Sequence, residues 1–521
     1  MEAFIGGTVS RGGDERLHEI WQSEIVFCFV DRSCAWSHEK ALTRFRSCSL
    51  AANISDAVLD ESQSVRPASR VSIGKTMSAT TSALPAAPLH LEEPTVGNYF
   101  VAAYPPFSSW ASAHDLALVE ALEQPAPVTP VGVYAHIPFC QKKCDYCYYL
   151  SYIGQQSEVV DAYIDALVAE LFRYASFPAM QGRAPAFLYF GGGTPSTLTS
   201  AQARRLGFGL KSALAASESA PEFTCECAPR SVRPDFLRTL REIGVNRLSM
   251  GVQCFDDALL KWNGRIHLVE DVLRAHALIQ QFAFEWVNID LMVGLLGETW
   301  PSWGETIQQA IALGADSVTI YQTEIPFNTQ LYREVQQKSL PAPLVSWPEK
   351  RERLAFAFSE LENAGYTIVS AYTAARDPSR HRFQYQEHLW RGGDMLGLGV
   401  ASFGYFGGVH YQNEVTLEKY RQAIAAEELP LKRAFRLKAS DQLVREFILQ
   451  LKWGRVDLRP FEDKFGVNPT EHFAPILKQL KAEGFLDFTE TEVTLTRAGL
   501  TRADQLLPLF YDPRFQNLRY T

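Results

Sequence analysis

The chain has 521 residues, too many for one hydrophobic core, so two or three domains are expected. Its 46% hydrophobic and 21% charged residues are typical of a soluble protein. The formal net charge of −9 argues against general binding to nucleic acid or anionic membranes, and no apolar run reaches the roughly 18 residues that a membrane span needs. Nine cysteines, an odd number, favour a reducing compartment, so we expect a cytoplasmic protein.

Residues 1–93 differ in character from the rest of the chain. They contain Ser- and Arg-rich segments without a sustained hydrophobic period, so we predict that most of this extension is disordered. An organellar transit peptide is disfavoured because the start is acidic, with Asp14, Glu15 and Glu19. An alternative interpretation is that translation begins at Met77, which would make the preceding residues an artefact of start-site assignment.

From residue 94 to residue 430 the sequence alternates between strand and helix patterns. Six runs of β-branched and aromatic residues are each long enough for one strand. They lie at 131–137, 186–190, 222–227, 247–252, 286–293 and 317–325. Because helical segments separate these runs, the pattern predicts βαβ units and a parallel sheet of the α/β class. Ligands of such sheets lie at the carboxyl ends of the strands.

A Cys-x3-Cys-x2-Cys motif follows the first predicted strand directly and consists of Cys140, Cys144 and Cys147. A [4Fe–4S] cluster held by three thiolates leaves one iron without a protein ligand, and an open position is typical of a reacting metal site. The alternatives are a zinc site with a distant fourth ligand and a disulfide. The usual zinc spacings disfavour the first, and nothing marks this chain as secreted, which disfavours the second.

The same motif is the signature of the radical S-adenosylmethionine (SAM) superfamily. The preceding Tyr134-Ala-His-Ile-Pro-Phe narrows the resemblance to the oxygen-independent coproporphyrinogen III oxidase family and its relatives. The resemblance implies an incomplete (β/α)6 radical SAM barrel. It also implies that SAM binds the open iron of a [4Fe–4S] cluster. An electron from the reduced cluster would then cleave SAM to methionine and a 5′-deoxyadenosyl radical, which abstracts hydrogen from the substrate.

Further site residues follow from this resemblance by position. Gly191-Gly-Gly-Thr-Pro, after the second strand, resembles the family's site for the amino group of SAM, although a tight turn with positive φ is the simpler interpretation. Glu226, with Tyr134 and Gly193, would hold the SAM bound to the cluster. Other residues that would contact one of two SAM molecules are Tyr146, Gly192, Thr194, Gln253, Arg265, Asp290, Thr323 and Phe403.

Four residues near these positions are interpreted as structural. Cys225 and Cys227 flank Glu226 and point to the opposite face of the strand, so we expect them in the core rather than in a second metal site. His136 and His267 lie beside no evident nucleophile or carboxylate partner, which favours a structural role over a catalytic one.

Residues 431–521 read as two helices, two short strands and a last helix that begins at Arg497. This order resembles the family's winged-helix-like α+β C-terminal domain. A DNA-binding winged helix is the rival interpretation. The segment is not strongly basic, so a domain that covers the substrate is favoured.

Two departures from the family pattern concern the reaction. Tyr149 stands where authentic coproporphyrinogen III oxidases usually have a fourth cysteine. The related haem chaperones lack that cysteine, as this chain does. Leu296 stands where the family commonly has a proline. Three functions therefore stay open. The first is a coproporphyrinogen dehydrogenase-like radical SAM oxidoreductase acting on a tetrapyrrole or another organic substrate. The others are a two-SAM methyltransferase or cyclopropane-forming enzyme, and a haem chaperone without turnover. The partners implied are a small-molecule substrate and a reducing protein such as flavodoxin or ferredoxin.

Overall fold

The computed structural model describes residues 91, 95–97, 99–112, 116–214, 222–516 and 518. Apart from Leu91, the extension predicted to be disordered lies outside these described residues, and so does the alternative start at Met77. Within the described ranges no helix combines the length and the apolar character needed to cross a membrane.

Six parallel strands form the centre of the main sheet. They are Val131–Ile137 (β1), Pro185–Gly192 (β2), Phe223–Cys227 (β3), Arg247–Gln253 (β4), Trp286–Val293 (β5) and Ser317–Gln322 (β6). Each strand pairs in parallel with the next one along the chain. All six predicted strands are confirmed, with small differences at their ends.

Helices alternate with these strands and most pack on the outer face of the sheet, although Gln384–Trp390 packs against Phe187 and Tyr189 on the concave side. Those of the barrel region are Ala117–Leu122, Ser157–Ala175, Ser200–Ala213, Pro234–Glu242, Asp257–Trp262, Val269–Gln280, Trp300–Leu313, Gln330–Gln337, Trp347–Asn363, Gln384–Trp390 and Leu417–Ala425. Several begin at a hydroxyl side chain that accepts a backbone N–H, as Thr199, Thr299 and Ser346 do. Such caps satisfy amides that have no partner inside the helix, which fixes where each helix starts.

The sheet stays open in the described part of the chain, which agrees with an incomplete barrel. On the β1 side, Met395–Leu398 pairs in parallel with β1 and is followed by antiparallel strands. These are Phe403–Phe406, Val409–Asn413, Leu431–Arg436 and Ala111–Ser112. On the other side, the antiparallel strands Thr373–Ala375 and Thr367–Ile368 follow β6. The chain therefore has the predicted α/β fold with a central parallel sheet.

Alternation along the strands separates the apolar core from a polar interior. On β4, Leu248, Met250 and Val252 belong to the main core with the helices, so Arg247 and Ser249 face the concave side. The same rule places Glu226 on the concave side and Cys225 and Cys227 in the core, where both thiols are buried. The prediction that these two cysteines are core residues is confirmed.

The C-terminal segment has its own apolar core around Phe447, Leu477 and Val493. Its helices are Ala439–Leu451, Arg459–Phe465, Pro469–His472, Ala474–Ala482, Arg497–Leu500 and Ala503–Leu506. A three-stranded antiparallel sheet has the order Arg455–Asp457, Glu492–Leu495, Leu486–Phe488. The sequence predicted only the last two of these strands.

Candidate functional site

The loop with the three cysteines leaves the carboxyl end of β1 and is tied at both ends. Phe139–Cys140 pairs in parallel with Tyr152–Ile153, and the Tyr152 amide donates a 2.7 Å hydrogen bond to the Pro138 carbonyl. Inside the loop, the Cys147 amide donates to the Cys144 carbonyl at 3.1 Å. The backbone therefore holds all three thiols in one loop at the rim of the sheet.

All three thiols are free and half-buried. Burial raises the pKa of Cys147 to about 11, and the neighbouring thiol of Cys144 adds to the rise. In the described residues, no three His, Cys, Asp or Glu side chains converge closely enough to bind a single metal ion. A cluster places each thiolate on a different iron, so its ligands need not converge on one point. The donor set therefore fits a cluster better than a mononuclear zinc site.

The glycine-rich loop after β2 packs directly against the cysteine loop. The Gly193 amide donates to the Ile137 carbonyl at 2.8 Å, and the Thr194 amide donates to the Phe139 carbonyl at 2.9 Å. A Cβ on Gly193 would lie within 3.0 Å of this backbone, so the close approach requires glycine. The Thr194 hydroxyl also lies 3.5 Å from the Cys140 sulfur.

Glu226, at the end of β3, is held on both carboxylate oxygens. The Tyr189 hydroxyl donates to Oε1 at 2.9 Å, and the Gly192 amide donates to Oε2 at 3.1 Å. Gly192 has φ +113°, a conformation that aims its N–H at the carboxylate and strongly favours glycine. Burial raises the pKa of Glu226 to about 7. Glu226 is thus a fixed acceptor beside the cysteine loop.

Asp290, on β5, is a second fixed carboxylate on the concave side. The Ser249 hydroxyl donates to Oδ2 at 2.9 Å, and the Asn288 side-chain amide donates to Oδ1 at 3.0 Å. Burial raises the pKa of Asp290 to about 6, and the nearby charge of Arg247 opposes that rise. Carboxylates fixed in this way suit an ammonium or a ribose hydroxyl.

Arg265 reaches the cysteine loop from the segment after β4. Its Nη1 lies 3.1 Å from the Cys144 sulfur, and its Nη2 donates to the Gly251 carbonyl at 2.9 Å. His267 lies beside it, with Nδ1 3.2 Å from Nη2 of Arg265 and Nε2 3.0 Å from the Val252 carbonyl. Burial lowers the pKa of His267 to about 3, so its ring is neutral and accepts the arginine N–H.

Two more predicted residues lie on the same concave side. Tyr134 stacks on Tyr189 with ring centroids 5.4 Å apart, and its hydroxyl is 3.4 Å from Nδ1 of His136. Phe403 lies two strands from Tyr134 across the sheet, with Gly397 on the strand between them. The Phe403 ring stacks on that of Phe107, with ring centroids 4.4 Å apart. Its nearness to the first SAM stays a prediction.

The other three predicted contacts differ in their surroundings. The buried hydroxyl of Tyr146 has no hydrogen-bond partner, so it is available to a ligand. Gln253 has φ +73°, which is rare for a side chain other than glycine and costs about 1 kcal/mol or more, a strain common at functional sites. The Thr323 hydroxyl donates to the Val293 carbonyl at 3.0 Å, a bond that ties β6 to β5.

Sequence reasoning missed several residues of this site. Tyr189, Ser249 and Asn288 hold the two carboxylates, and Arg247 lies 4.3 Å from the Trp286 ring centre and 4.0 Å from that of Phe383. The alternation of side chains along each strand could have identified these residues. Tyr189, for example, stands two residues before Gly191 on β2 and therefore faces the same side.

Comparisons with known proteins agree with this geometry. Residues 134–310 match the family described as the radical SAM superfamily, and residues 437–501 match the HemN C-terminal domain. The solved structure of coproporphyrinogen III oxidase (HemN) from Escherichia coli, described as a radical SAM enzyme, is 27% identical with a TM-score of 0.69. The match covers 78% of this chain and 96% of the HemN chain.

Two curated relatives are similar over most of their length. The oxygen-independent coproporphyrinogen III oxidase of Escherichia coli is 30% identical over 72% of this chain and 83% of its own. The heme chaperone HemW of Bacillus subtilis is 29% identical over 73% of this chain and 98% of its own.

The fold and the site thus define a radical SAM protein, whose cofactors are a [4Fe–4S] cluster and SAM. Within that class, the chain belongs to the oxygen-independent coproporphyrinogen III oxidase family.

Proposed function

We propose that this protein is a radical SAM enzyme that acts on a tetrapyrrole or another organic substrate. Cys140, Cys144 and Cys147 would bind the cluster. When bound, the cluster and SAM supply reductive cleavage of SAM and a carbon-centred radical. The observation that carries the proposal is the arrangement around Glu226 and Asp290, two carboxylates held by fixed donors at the same rim as the three thiols.

In this proposal the chain itself orients SAM and keeps water away. Glu226 and Gly193 would bind the SAM on the cluster, with the Tyr134 ring beside them. The remaining proposed SAM contacts are Tyr146, Gly192, Thr194, Gln253, Arg265, Asp290, Thr323 and Phe403. Fixed donors around Glu226 and Asp290 mean that little reorganisation is needed when a charged ligand binds.

We further propose that residues 94–430 form the catalytic unit and that the predicted domain 431–521 covers the substrate, except for the strand Leu431–Arg436, which belongs to the main sheet. We also propose that the protein works in the cytoplasm with a reducing partner such as flavodoxin or ferredoxin. Support for a covering role comes from Arg445 on helix Ala439–Leu451. Its guanidinium is buried and lies 3.9 Å from the Tyr405 ring centre, and its Nη1 donates to the Leu389 carbonyl at 3.2 Å. The C-terminal segment thus packs closely on strands beside β1.

The test is product analysis under anaerobic conditions. Full-length protein reconstituted with iron and sulfide receives dithionite and SAM, and the nucleosides are identified by mass spectrometry. We expect 5′-deoxyadenosine, and S-adenosylhomocysteine beside it would indicate the methyltransferase variant of the function. A loaded cluster that yields neither product, even with coproporphyrinogen III present, would overturn the enzymatic proposal.

A haem chaperone is the second candidate. It is supported by the likeness to HemW over nearly the whole of that protein, and by Tyr149 in place of a fourth cysteine. The Tyr149 hydroxyl lies 3.4 Å from that of Tyr148, and the two rings are stacked with centroids 4.5 Å apart. Stoichiometric haem binding without substrate conversion would favour this candidate.

A further inference from the structure

The contact between Arg265 and Cys144 joins a cation to one of the three thiols of the cysteine loop. The 3.1 Å distance between Nη1 and Sγ is within hydrogen-bonding range for sulfur. Hydrogen bonds from a charged donor are roughly twice as strong as those between neutral groups. Arg265 therefore acts on the thiol itself, in addition to any ligand that it binds.

The protein holds Arg265 in place without a ligand. Both N–H groups of Nη2 are used, one by the Gly251 carbonyl and one by His267. His267 is in turn fixed by the Val252 carbonyl and is 2% exposed. Since the guanidinium has five N–H groups, the Nε–H, which is buried without a partner, stays available to a SAM carboxylate.

We propose that Arg265 raises the reduction potential of the cluster by donating this hydrogen bond to the Cys144 thiolate. The inference rests on the proposed function, because it requires the cluster on these cysteines. Reduction moves one electron from an external reductant into the cluster and makes its sulfur atoms more negative, and no bond forms or breaks. A fixed cation and hydrogen bonds to sulfur stabilise that reduced state, which makes the potential less negative.

Thr194 offers a second, weaker contact of the same kind. Its hydroxyl is 3.5 Å from the Cys140 sulfur and carries no charge. A neutral donor at a longer distance stabilises the reduced state less. Two of the three proposed ligands thus have a hydrogen-bond donor from another loop, Thr194 after β2 and Arg265 after β4.

The experiment is a redox titration of the reconstituted full-length protein without SAM, followed by the electron paramagnetic resonance signal of the reduced cluster. The variants are Arg265→Met, which removes the charge and the donor, and Arg265→Lys, which keeps the charge. Arg230→Met is the matched control. Arg230, Cys144 and Arg265 line one pocket, but Arg230 is exposed and donates to the Ile266 carbonyl.

For Arg265→Met we expect the ratio of oxidised to reduced cluster at a fixed solution potential to rise tenfold or more. For a one-electron couple, this corresponds to a reduction potential about 59 mV more negative. Arg265→Lys should fall between this variant and the wild type, and Arg230→Met should match the wild type. An unchanged potential in Arg265→Met would overturn the inference. A change seen only when SAM is present would overturn it too, since Arg265 would then act through its ligand.

If Arg265→Met loses its iron, two milder variants test the inference. His267→Phe removes the acceptor that orients Arg265, and Thr194→Val removes the second donor. A more negative potential in both supports the inference, and unchanged potentials in both overturn it. Failure of the wild type to bind a cluster would instead sink the proposed function, so the two failures are distinguishable.

Discussion

The Tyr189 hydroxyl donates a 2.9 Å hydrogen bond to Glu226 across two neighbouring strands of the barrel. It is one of two donors on this carboxylate, and it lowers the Glu226 pKa against the effect of burial. Tyr189→Phe should therefore raise the pKa of Glu226 further and leave it a poorer acceptor. A hydrogen bond to a charged group contributes about 1.5–3 kcal/mol, so SAM affinity should fall by roughly tenfold or more.

Isothermal titration of SAM into the reconstituted variant measures this effect. Tyr366→Phe is the control, because its buried hydroxyl donates to the Ala315 carbonyl on the helix side of the sheet. SAM affinity equal to wild type in Tyr189→Phe would show that Glu226 does not bind SAM through this geometry.

Cys144→Ala should abolish cluster binding and SAM cleavage. Two thiolates leave two irons without protein ligands, so the cluster should not stay in place. Iron and sulfide analysis after reconstitution measures the loss. Cys254→Ala is the control, since its thiol is buried in a separate apolar cluster and contacts the Asp256 carbonyl. Wild-type iron content in Cys144→Ala would contradict the assignment of the cluster ligands.

Gly192→Ala should weaken both the fold and the SAM site. The position has φ +113°, and a Cβ would lie 2.5 Å from the His136 ring. Backbone strain costs about 1–3 kcal/mol, and the steric overlap adds to it, so the melting temperature should fall by several degrees. Gly154→Ala is the control, because it has φ +66° in open space and so reports backbone strain alone. Equal melting temperatures for the two variants would show that the His136 contact is unimportant.

The stability of the protein should decrease as the pH rises from 4.5 to about 7 because of Glu170. This buried carboxylate accepts hydrogen bonds from Tyr420, Asn413 and the Gly399 amide, and burial raises its pKa from 4.5 to about 7. A raised pKa means that the folded state favours the protonated form. Its contribution to stability is complete below pH 4.5 and is lost progressively as the pH rises to about 7.

Between these two values each pH unit costs about 1.4 kcal/mol from this group. Denaturant unfolding at a series of pH values measures the slope, and Glu170→Gln should flatten it. The exposed residue Glu158, on the same helix, is the control, and Glu158→Gln should keep the wild-type slope. The same slope in Glu170→Gln and the wild type would assign the pH dependence to other groups.

Much of the site was predictable because its signals are local. The spacing of Cys140, Cys144 and Cys147 predicts three thiols in one loop, and Gly191-Gly-Gly marks a turn after a strand. The strand runs place Glu226 and Asp290 near the carboxyl ends of their strands. The bulge between Gly251 and Gln253 was not predictable, since it depends on how β4 pairs with β5.

The α/β alternation, the six parallel strands and the loop with three cysteines could be predicted from the amino-acid order, because strand patterns and motif spacing depend on neighbours in the chain. Which donors meet which acceptors depends instead on the folded chain. Arg265 reaches Cys144 from 121 residues away, and Tyr189 reaches Glu226 from 37 residues away. Such contacts depend on strand register, loop conformation and side-chain rotamers together, and no local pattern in the chain encodes that combination.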